Sequence, residues 1–283
     1  MDESAAIRVT GLRKRYGGVA ALDGVDLEVG RGEVFAVLGP NGAGKTTMIE
    51  ILEGYRDRDG GCVSVLGVDP AKAGRRWRSR IGIVLQLAAE WGFEVTVAEM
   101  VREFAAYYPR PRDPAEVIEL VGLSGKAGAR ARSLSGGQQR RLDVALGIIG
   151  RPELLFLDEP TTGFDPEARR QFWDLIRTLA EDGTTILLTT HYLEEAEALA
   201  GRVAVLAAGR IAAIGEPGTL GGRAIADACV SWDGPNGRRM LRTPAPTRVV
   251  TDLAGALGGE VPGLTVTRPT LEDVYLDLIG AGR

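Results

Sequence analysis

Apolar residues along this chain are concentrated in short runs that have the length of buried strands. The clearest runs are residues 33–38, 154–157 and 185–189, and each leads through a loop into a stretch with helical spacing. After the first run, three apolar positions fall on one face of a helix predicted for residues 45–53. Continuous apolar strands that alternate with helices are typical of a parallel sheet covered on both faces. The pattern therefore predicts an α/β fold.

The remaining segments extend this picture. Helices are predicted for residues 166–182 and 193–200, and residues 97–150 read mainly as helices broken at Pro109-Arg110-Pro111 and loosened at 122–128. Further strands are predicted at residues 7–10, 25–29, 62–66, 81–85, 203–206 and 211–214. We expect the last two strands to form a hairpin that turns at Gly209.

The composition changes after Gly215, where glycine and proline become frequent. Strand-like runs at residues 225–232 and 261–266 and helix-like runs at 247–257 and 271–279 are predicted in this tail. Thr270 and Asp273 have the spacing of a capping pair for the last helix. We therefore expect a small α+β accessory region after a boundary near residue 220.

Composition restricts the class of protein. The 283 residues are 45% hydrophobic and 25% charged, which is ordinary for a globular chain. The net charge of −4 provides no overall basic field for binding nucleic acid. Cys62 and Cys229 are too few and too far apart for a disulfide framework or a zinc site.

Membrane-spanning and secreted proteins are disfavoured in the same way. No run approaches the roughly 20 apolar residues that a membrane helix needs. The N-terminal residues, Met1-Asp2-Glu3-Ser4, are acidic and are not followed by a signal-peptide core. We expect a cytoplasmic protein that acts on any membrane process through a partner.

The loop after the first apolar strand matches the phosphate-binding pattern G-x-x-x-x-G-K-[ST]. Its glycines allow consecutive backbone N–H groups to converge on a phosphate. The lysine can approach the β- and γ-phosphate oxygens, and the threonine hydroxyl can bind Mg²⁺. The predicted nucleotide-binding residues are Gly39, Pro40, Asn41, Gly42, Ala43, Gly44, Lys45, Thr46 and Thr47.

Two acidic residues, Asp158 and Glu159, end the apolar strand at residues 154–157. A carboxylate at the tip of a buried strand beside the phosphate loop is placed to hold Mg²⁺, directly or through water. The next carboxylate is placed to polarise an attacking water. We assign these two roles to Asp158 and Glu159, respectively.

A second glycine-rich turn begins another helical segment that runs to about residue 149. Unpaired N–H groups and the positive end of the helix dipole favour an anion at such a position. The turn is therefore predicted to be a second anion site, which has a use if it closes on a γ-phosphate held by a different subunit. Its residues after Leu134 are Ser135, Gly136, Gly137 and Gln138.

These motifs, in this order, resemble those of the ATP-binding cassette (ABC) ATPases over residues 7–216. The resemblance implies a P-loop NTPase cassette with a RecA-like parallel sheet core, an N-terminal antiparallel β subdomain and a helical subdomain at about 87–150. The cassette is expected at residues 5–220 and the accessory region at 221–283. Two ATP molecules would lie between two such chains, and binding would close the dimer that hydrolysis reopens.

The resemblance also implies roles for single residues. Gln86 resembles the Q-loop glutamine that senses Mg²⁺ and the nucleophilic water. Asp165 resembles the D-loop aspartate at the dimer seam, although Phe164 replaces the leucine that is common beside it. His191 resembles the switch histidine that contacts the γ-phosphate, and Tyr16 the aromatic residue that stacks on adenine.

The tail segment Pro269-Thr270-Leu271-Glu272-Asp273-Val274-Tyr275-Leu276 resembles the C-terminal segment of daunorubicin-resistance-type exporter ATPases. Those ATPases pair with a separate membrane subunit of about six helices. The resemblance implies export of drugs, lipids or other amphipathic molecules, driven by ATP with Mg²⁺ from the cytoplasmic face of the membrane. An importer ATPase, or a soluble cassette that acts on nucleic acid or ribosomes, is the alternative. Leu87, Trp91 and Phe93 are candidates for a groove that receives the permease, or equally for a core cluster.

Overall fold

A computed structural model of the chain describes residues 5–84, 94–223, 225–234 and 237–280. The strands are β1 (Ala5–Tyr16), β2 (Val19–Gly30), β3 (Val34–Leu38), β4 (Gly60–Val65), β5 (Ile81–Val84), β6 (Leu154–Asp158), β7 (Thr185–Thr190), β8 (Arg202–Ala207), β9 (Arg210–Gly215), β10 (Ala228–Gly234), β11 (Gly237–Thr243) and β12 (Thr265–Thr267). The helices are α1 (Lys45–Leu52), α2 (Arg75–Arg78), α3 (Val97–Ala105), α4 (Pro114–Leu120), α5 (Gly136–Ile148), α6 (Pro166–Glu181), α7 (Leu193–Leu199), α8 (Pro246–Leu257) and α9 (Leu271–Gly280).

The largest sheet has the strand order β5-β6-β7-β3-β8-β9. Its first five strands run parallel, and β9 pairs antiparallel with β8 as the predicted hairpin. Every residue of β6 and β7 is buried, which explains why both appear in the sequence as unbroken apolar runs. The predicted α/β fold with a parallel core is confirmed, and the phosphate loop follows β3 inside this sheet.

A second, antiparallel sheet in the order β2-β1-β4 forms the predicted N-terminal β subdomain. The first two strands are each 12 residues long, much longer than the runs predicted at residues 7–10 and 25–29. Their outer halves form a hairpin in which Arg13, Arg15 and Tyr16 are partly or fully exposed. Because most residues of that part are exposed or half-buried, the regular hydrophobic alternation that identifies a strand is absent there.

Helices α3, α4 and α5 lie between β5 and β6 in the sequence, where mainly helices are predicted. α3, α4 and α5 share one apolar core with the parallel sheet and α6. Thr96 begins α3 with a capping box to Glu99, and Asp113 caps α4. α5 contacts β5 and is almost fully buried over its second half. Its N-terminus is thereby held at a fixed place relative to the strands.

The C-terminal region contains a small antiparallel sheet of order β11-β10-β12 with α8 against β10. The strands predicted at 225–232 and 261–266 are displaced to β10 and β12, and β11 was not predicted. β11 is exposed at every residue except Thr243, so its sequence contains no apolar alternation. The predicted cap of α9 is confirmed, since Thr270 and Asp273 exchange side-chain and backbone hydrogen bonds.

α9 packs back onto the large sheet. It contacts α7, β8 and β9, and Leu271 is only 1% exposed within the main core. Within the described ranges, no helix combines the length and the apolar character that crossing a bilayer requires.

Candidate functional site

The phosphate loop connects the end of β3 to the start of α1. Gly44 precedes the helix with φ 107°, and a Cβ there would lie 2.4 Å from the carbonyl oxygen of Ala21. A Cβ on Gly39 would lie 2.5 Å from the carbonyl oxygen of Leu206. Both glycines are therefore required by the close packing of the loop against β2 and β8. This packing fixes the backbone N–H groups that point into the loop.

Lys45 is the first residue of α1 and is 5% exposed. Its ammonium Nζ lies 2.8 Å from the carbonyl oxygen of Gly39 and 3.4 Å from that of Pro40. It also lies 3.2 Å from Oε1 of Glu159. The cation is thus surrounded by oxygen acceptors of the kind that a phosphate would supply.

The carboxylate of Asp158 joins three parts of the site. Its Oδ2 accepts a hydrogen bond from the Thr46 hydroxyl at 3.2 Å. Its Oδ1 accepts a second one from the hydroxyl of Thr189, which lies on the neighbouring strand β7. Thr46 and Asp158, predicted to share a metal ion, are therefore brought together with hard oxygen donors facing each other.

Glu159 has a backbone conformation that is uncommon for a residue with a side chain. Its φ is 45°, in the left-handed region, which costs about 1–3 kcal/mol for a non-glycine residue. The N–H of Glu159 donates to both the carbonyl and the hydroxyl oxygen of Thr189, each at 3.1 Å. In this conformation the carboxylate lies beside Lys45.

His191 follows β7 and lies on the other side of Glu159. Its Nδ1 is 3.3 Å from Oε2 of Glu159, so the two oxygens of one carboxylate face the histidine and Lys45. The ring of His191 lies 4.1 Å from that of Tyr192, whose face in turn receives the guanidinium of Arg169 at 4.6 Å. The structure thus brings together three residues that are far apart in the sequence.

Ser135 is the N-cap of α5. Its hydroxyl accepts a hydrogen bond from the N–H of Gln138 at 3.4 Å, and the Gln138 side chain accepts one from the N–H of Ser135 at 3.1 Å. The turn therefore stabilises its own helix, a role that the sequence interpretation did not include. Ser135 and Gly136 are exposed, and added Cβ atoms on Gly136 and Gly137 would meet nothing within 4 Å.

Asp165 has a similar local role, because its carboxylate caps α6 by accepting from the N–H of Ala168 at 2.8 Å. Phe164 packs edge-on against Phe172 of the same helix, at a centroid distance of 5.8 Å. The aromatic replacement is therefore accommodated within the chain.

Tyr16 ends β1 and is 43% exposed. Arg56 and Lys14 lie 5.3 Å and 5.7 Å from its ring centroid, and Arg56 is held by an ion pair with Glu50. Gln86, Leu87, Trp91 and Phe93 lie outside the described residues.

Two buried charged residues near Glu159 were not predicted as part of the site. Arg140 on α5 and Glu195 on α7 are 4% and 0% exposed. Charged residues are rarely buried in a protein core, so both are unusual. The sequence places each on a helix, but it does not indicate which groups the side chain contacts.

Comparison with known proteins places this geometry in a family. The family described as ABC transporter matches residues 22–162. The chain is 40% identical over 311 residues to the daunorubicin resistance ATP-binding protein DrrA3 of Streptomyces coeruleorubidus, covering 98% of this chain and 97% of that protein. It is 37% identical over 290 residues to the Nod factor export ATP-binding protein I of Burkholderia thailandensis, covering 95% of each.

A solved structure described as the ATP-binding subunit of an ABC transporter has the same fold. It matches with a TM-score of 0.70 at 23% identity, covering 96% of this chain and 99% of that one. The fold likeness therefore extends through the C-terminal region. Given the identity to relatives over nearly their whole length, the chain belongs to the ABC transporter family, as an ATP-binding and ATP-hydrolysing subunit.

Proposed function

We propose that this chain hydrolyses ATP with Lys45, Glu159 and His191 as a unit and thereby drives export through a separate membrane permease. The observation that carries the proposal is the position of the Glu159 carboxylate, which lies 3.2 Å from Lys45 and 3.3 Å from His191. A carboxylate between a phosphate-binding lysine and an imidazole is suited to accept a proton from water beside a γ-phosphate.

The phosphate loop binds the nucleotide in this proposal. Backbone N–H groups of residues 39–47, apart from Pro40, would surround the β-phosphate, and the ammonium of Lys45 would move from the carbonyls of Gly39 and Pro40 to the β- and γ-oxygens. Tyr16 stacks on the adenine in this proposal. Its ring is partly exposed at the end of β1 and is therefore accessible to a base.

A magnesium ion fits the oxygen donors of Thr46 and Asp158, whose facing oxygens are 3.2 Å apart. Mg²⁺ usually binds one or two protein oxygens and completes its shell with water and phosphate, so a larger carboxylate cluster is not needed. Among the described residues, no group of three or more acidic, histidine or cysteine side chains could hold a metal. Gln86 is the third proposed ligand. When bound, the ion neutralises charge on the phosphate oxygens.

Catalysis then depends on charges that this chain supplies. Glu159 accepts the proton of the attacking water. His191 donates a hydrogen bond towards the γ-phosphate and restrains the Glu159 carboxylate from one side, while Lys45 stabilises the negative charge that develops on phosphate oxygens.

The second ATP contact comes from the turn Ser135, Gly136, Gly137 and Gln138 of an opposing subunit, which we propose is a second copy. Neither glycine has a positive φ or a neighbour that would exclude a side chain, so the packing of this chain does not account for them. The two glycines are explained if a phosphate of another subunit's nucleotide approaches the backbone N–H groups at the N-terminus of α5. Asp165, exposed at the start of α6, lies at the same seam in this proposal.

The export direction rests on the relatives, whose names specify daunorubicin resistance and Nod factor export. We propose drugs, lipids or other amphipathic molecules as cargo, a permease of about six helices as partner, and attachment at the cytoplasmic face of the membrane. Residues 5–220 form the cassette, with its helical subdomain at about 87–150, and residues 221–283 form the accessory region. Both names argue against the importer alternative.

Hydrolysis and transport can be tested separately. Glu159→Gln should nearly abolish ATP hydrolysis and should accumulate an ATP-bound dimer in size-exclusion chromatography, whereas Glu167→Gln on the exposed start of α6 should behave as wild type. Turnover near wild type in Glu159→Gln would exclude the proposed base. If a neighbouring gene encodes a membrane protein of about six helices, co-expression with that protein should give ATP-dependent accumulation of an amphipathic drug in inside-out vesicles. Depletion from those vesicles would instead indicate import.

A further inference from the structure

Arg140 contacts the backbone on both sides of Glu159. Its Nε donates to the carbonyl oxygen of Pro160 at 2.9 Å, and one of its terminal nitrogens donates to that of Asp158 at 3.0 Å. The residue between these two carbonyls is Glu159. One guanidinium therefore binds the backbone carbonyls of the two residues that precede and follow the proposed general base.

This contact coincides with the strained conformation of Glu159. A non-glycine residue with φ 45° persists only where surrounding contacts determine its backbone. Thr189 fixes the N–H of Glu159, and Arg140 fixes the two flanking carbonyls. The planar guanidinium presents several donors in a fixed arrangement, so one side chain can satisfy both carbonyls together, which a lysine ammonium cannot do with the same geometry.

Burial lowers the pKa of this guanidinium, and three nearby carboxylates oppose that effect. One terminal nitrogen lies 4.0 Å from Oδ2 of Asp143, and the carboxylates of Asp158 and Glu195 contribute favourable charge interactions. Glu195 accepts a hydrogen bond from Trp173 at 3.4 Å and so is itself held between α6 and α7. A positive charge is therefore needed at this position for folding. A test of catalysis must distinguish loss of stability from loss of turnover.

We propose that Arg140 is a positioning residue for ATP hydrolysis, which fixes Glu159 relative to the phosphate loop and links it to α5. This inference rests on the proposed role of Glu159 as the general base. Ser135 caps the same helix, so the turn expected to meet the opposing ATP and the base of this chain are joined through about one and a half helical turns of α5.

The test compares Arg140→Lys and Arg140→Met with a matched control, Arg141→Met. Arg141 is the next residue of α5, and its guanidinium contacts Gln171 of α6. We expect both Arg140 variants to retain the wild-type KM for ATP within about threefold and to lose about 10- to 100-fold in kcat, as displacement of a catalytic group by about 1 Å does. Arg141→Met should retain wild-type kcat.

The lysine variant separates positioning from folding. It retains the buried positive charge, so it should recover most of the thermal stability that Arg140→Met loses, without recovering kcat. If Arg140→Met does not fold, Arg140→Lys alone decides the outcome. Wild-type kcat in Arg140→Lys, or an equal loss in Arg141→Met, would overturn the inference.

A double variant tests whether Arg140 acts through Glu159. In the Glu159→Gln background, Arg140→Lys should cause no further loss of residual turnover, whereas independent effects would multiply. Failure of this inference is distinguishable from failure of the proposed function. If Glu159→Gln is inactive and Arg140→Lys is fully active, only the positioning role is wrong. If Glu159→Gln itself turns over normally, the general base has been misassigned.

Discussion

The ammonium Nζ of Lys45 lies 3.2 Å from Oε1 of Glu159, and both side chains are more than nine-tenths buried. A carboxylate removed from water is stable only beside a compensating charge or donor. Lys45 therefore does two things that are usually discussed separately. It is available to bind phosphate, and in the nucleotide-free protein it neutralises the residue that we propose as the base.

Breaking this pair should destabilise the protein more than removing both charges together. We expect Lys45→Met to lower the free energy of unfolding by about 3 kcal/mol in the absence of nucleotide, because Glu159 keeps a buried charge. Lys45→Met combined with Glu159→Gln should recover most of that loss. Urea denaturation of the four proteins measures the coupling, with the exposed Lys72→Met as the control. Simple additivity of the two single changes would contradict the expected pairing.

Glu53, at the end of α1, is a buried acid of a different kind. Burial raises the pKa of its carboxyl to about 8, with smaller contributions of the same sign from Asp158 and Glu50. Its Oε2 has no hydrogen-bond partner among the described residues. The folded protein thus holds this proton up to about pH 8, whereas the unfolded chain releases it near pH 4.5.

The free energy of unfolding should therefore fall as the pH rises from about 4.5 to 8, because over this range only the folded state is protonated at Glu53. Glu53→Gln should reduce that slope and stabilise the protein by roughly 3 kcal/mol at neutral pH. Urea unfolding at several pH values measures both effects. The exposed Glu119→Gln is the control, and an unchanged slope in Glu53→Gln would show that the acid is solvated.

Glu153 should show the opposite pH dependence. Hydrogen bonds from Arg80, and then from Arg31, lower the pKa of its carboxyl to about 2. The stabilisation is present above about pH 4.5 and is lost as the pH falls towards 2. The carboxylate is half-exposed, so after screening we expect Glu153→Gln to cost only about 1 kcal/mol at pH 7.

This difference between Glu153→Gln and wild type should vanish in acid and shrink in high salt. Acid unfolding followed by circular dichroism measures it, with Glu28→Gln, which breaks one exposed pair to Arg8, for comparison. A difference that persists at pH 2 would mean that Glu153 stabilises through packing instead of charge.

The parallel core was predictable because its strands are buried on both faces. β6 and β7 each appear in the sequence as an apolar run, which identifies a strand without information about its neighbours in the sheet. The loop before α1 is identified by its local glycine pattern. The hairpin ends of β1 and β2, the strand β11 and the four-residue α2 were missed because few of their residues enter the core. Local sequence contains no signal for a strand that exists only through pairing with another strand.

The site shows the same division. The residue types of Lys45, Asp158 and Glu159 indicate their chemistry from local motifs, and the resemblance adds His191. The contacts between them depend on the order of β3, β6 and β7 across the sheet, which no local pattern specifies. Arg140 was missed for this reason. Its partners are backbone carbonyls, which every residue has, so no residue type in the sequence indicates the contact.

Two substitutions of Ser135 distinguish the capping role of its turn from the proposed contact with the nucleotide of an opposing subunit. Ser135→Ala should cost about 1 kcal/mol of stability, because α5 loses its cap. Ser135→Arg should abolish hydrolysis without weakening ATP binding to the isolated chain. Ser133→Arg, two residues earlier and also exposed, is the matched control. Fluorescent-nucleotide titration and ATPase assays measure the two quantities, and loss of binding in the monomer would mean that the turn acts on its own chain's ATP.

Leu271, at the start of α9, anchors the C-terminal end of the chain to the large sheet. Its side chain is 1% exposed and belongs to the main core, whereas Leu276 in the same helix is 53% exposed. Leu271→Ala should lower the free energy of unfolding by about 2–4 kcal/mol through lost burial and a residual cavity. Leu276→Ala should change it by less than about 0.5 kcal/mol. Because α9 contacts α7, which follows His191 directly, the cost should appear in the single main unfolding transition of the ATPase core. A separate early transition for Leu271→Ala would show that the C-terminal helix folds independently of the sheet.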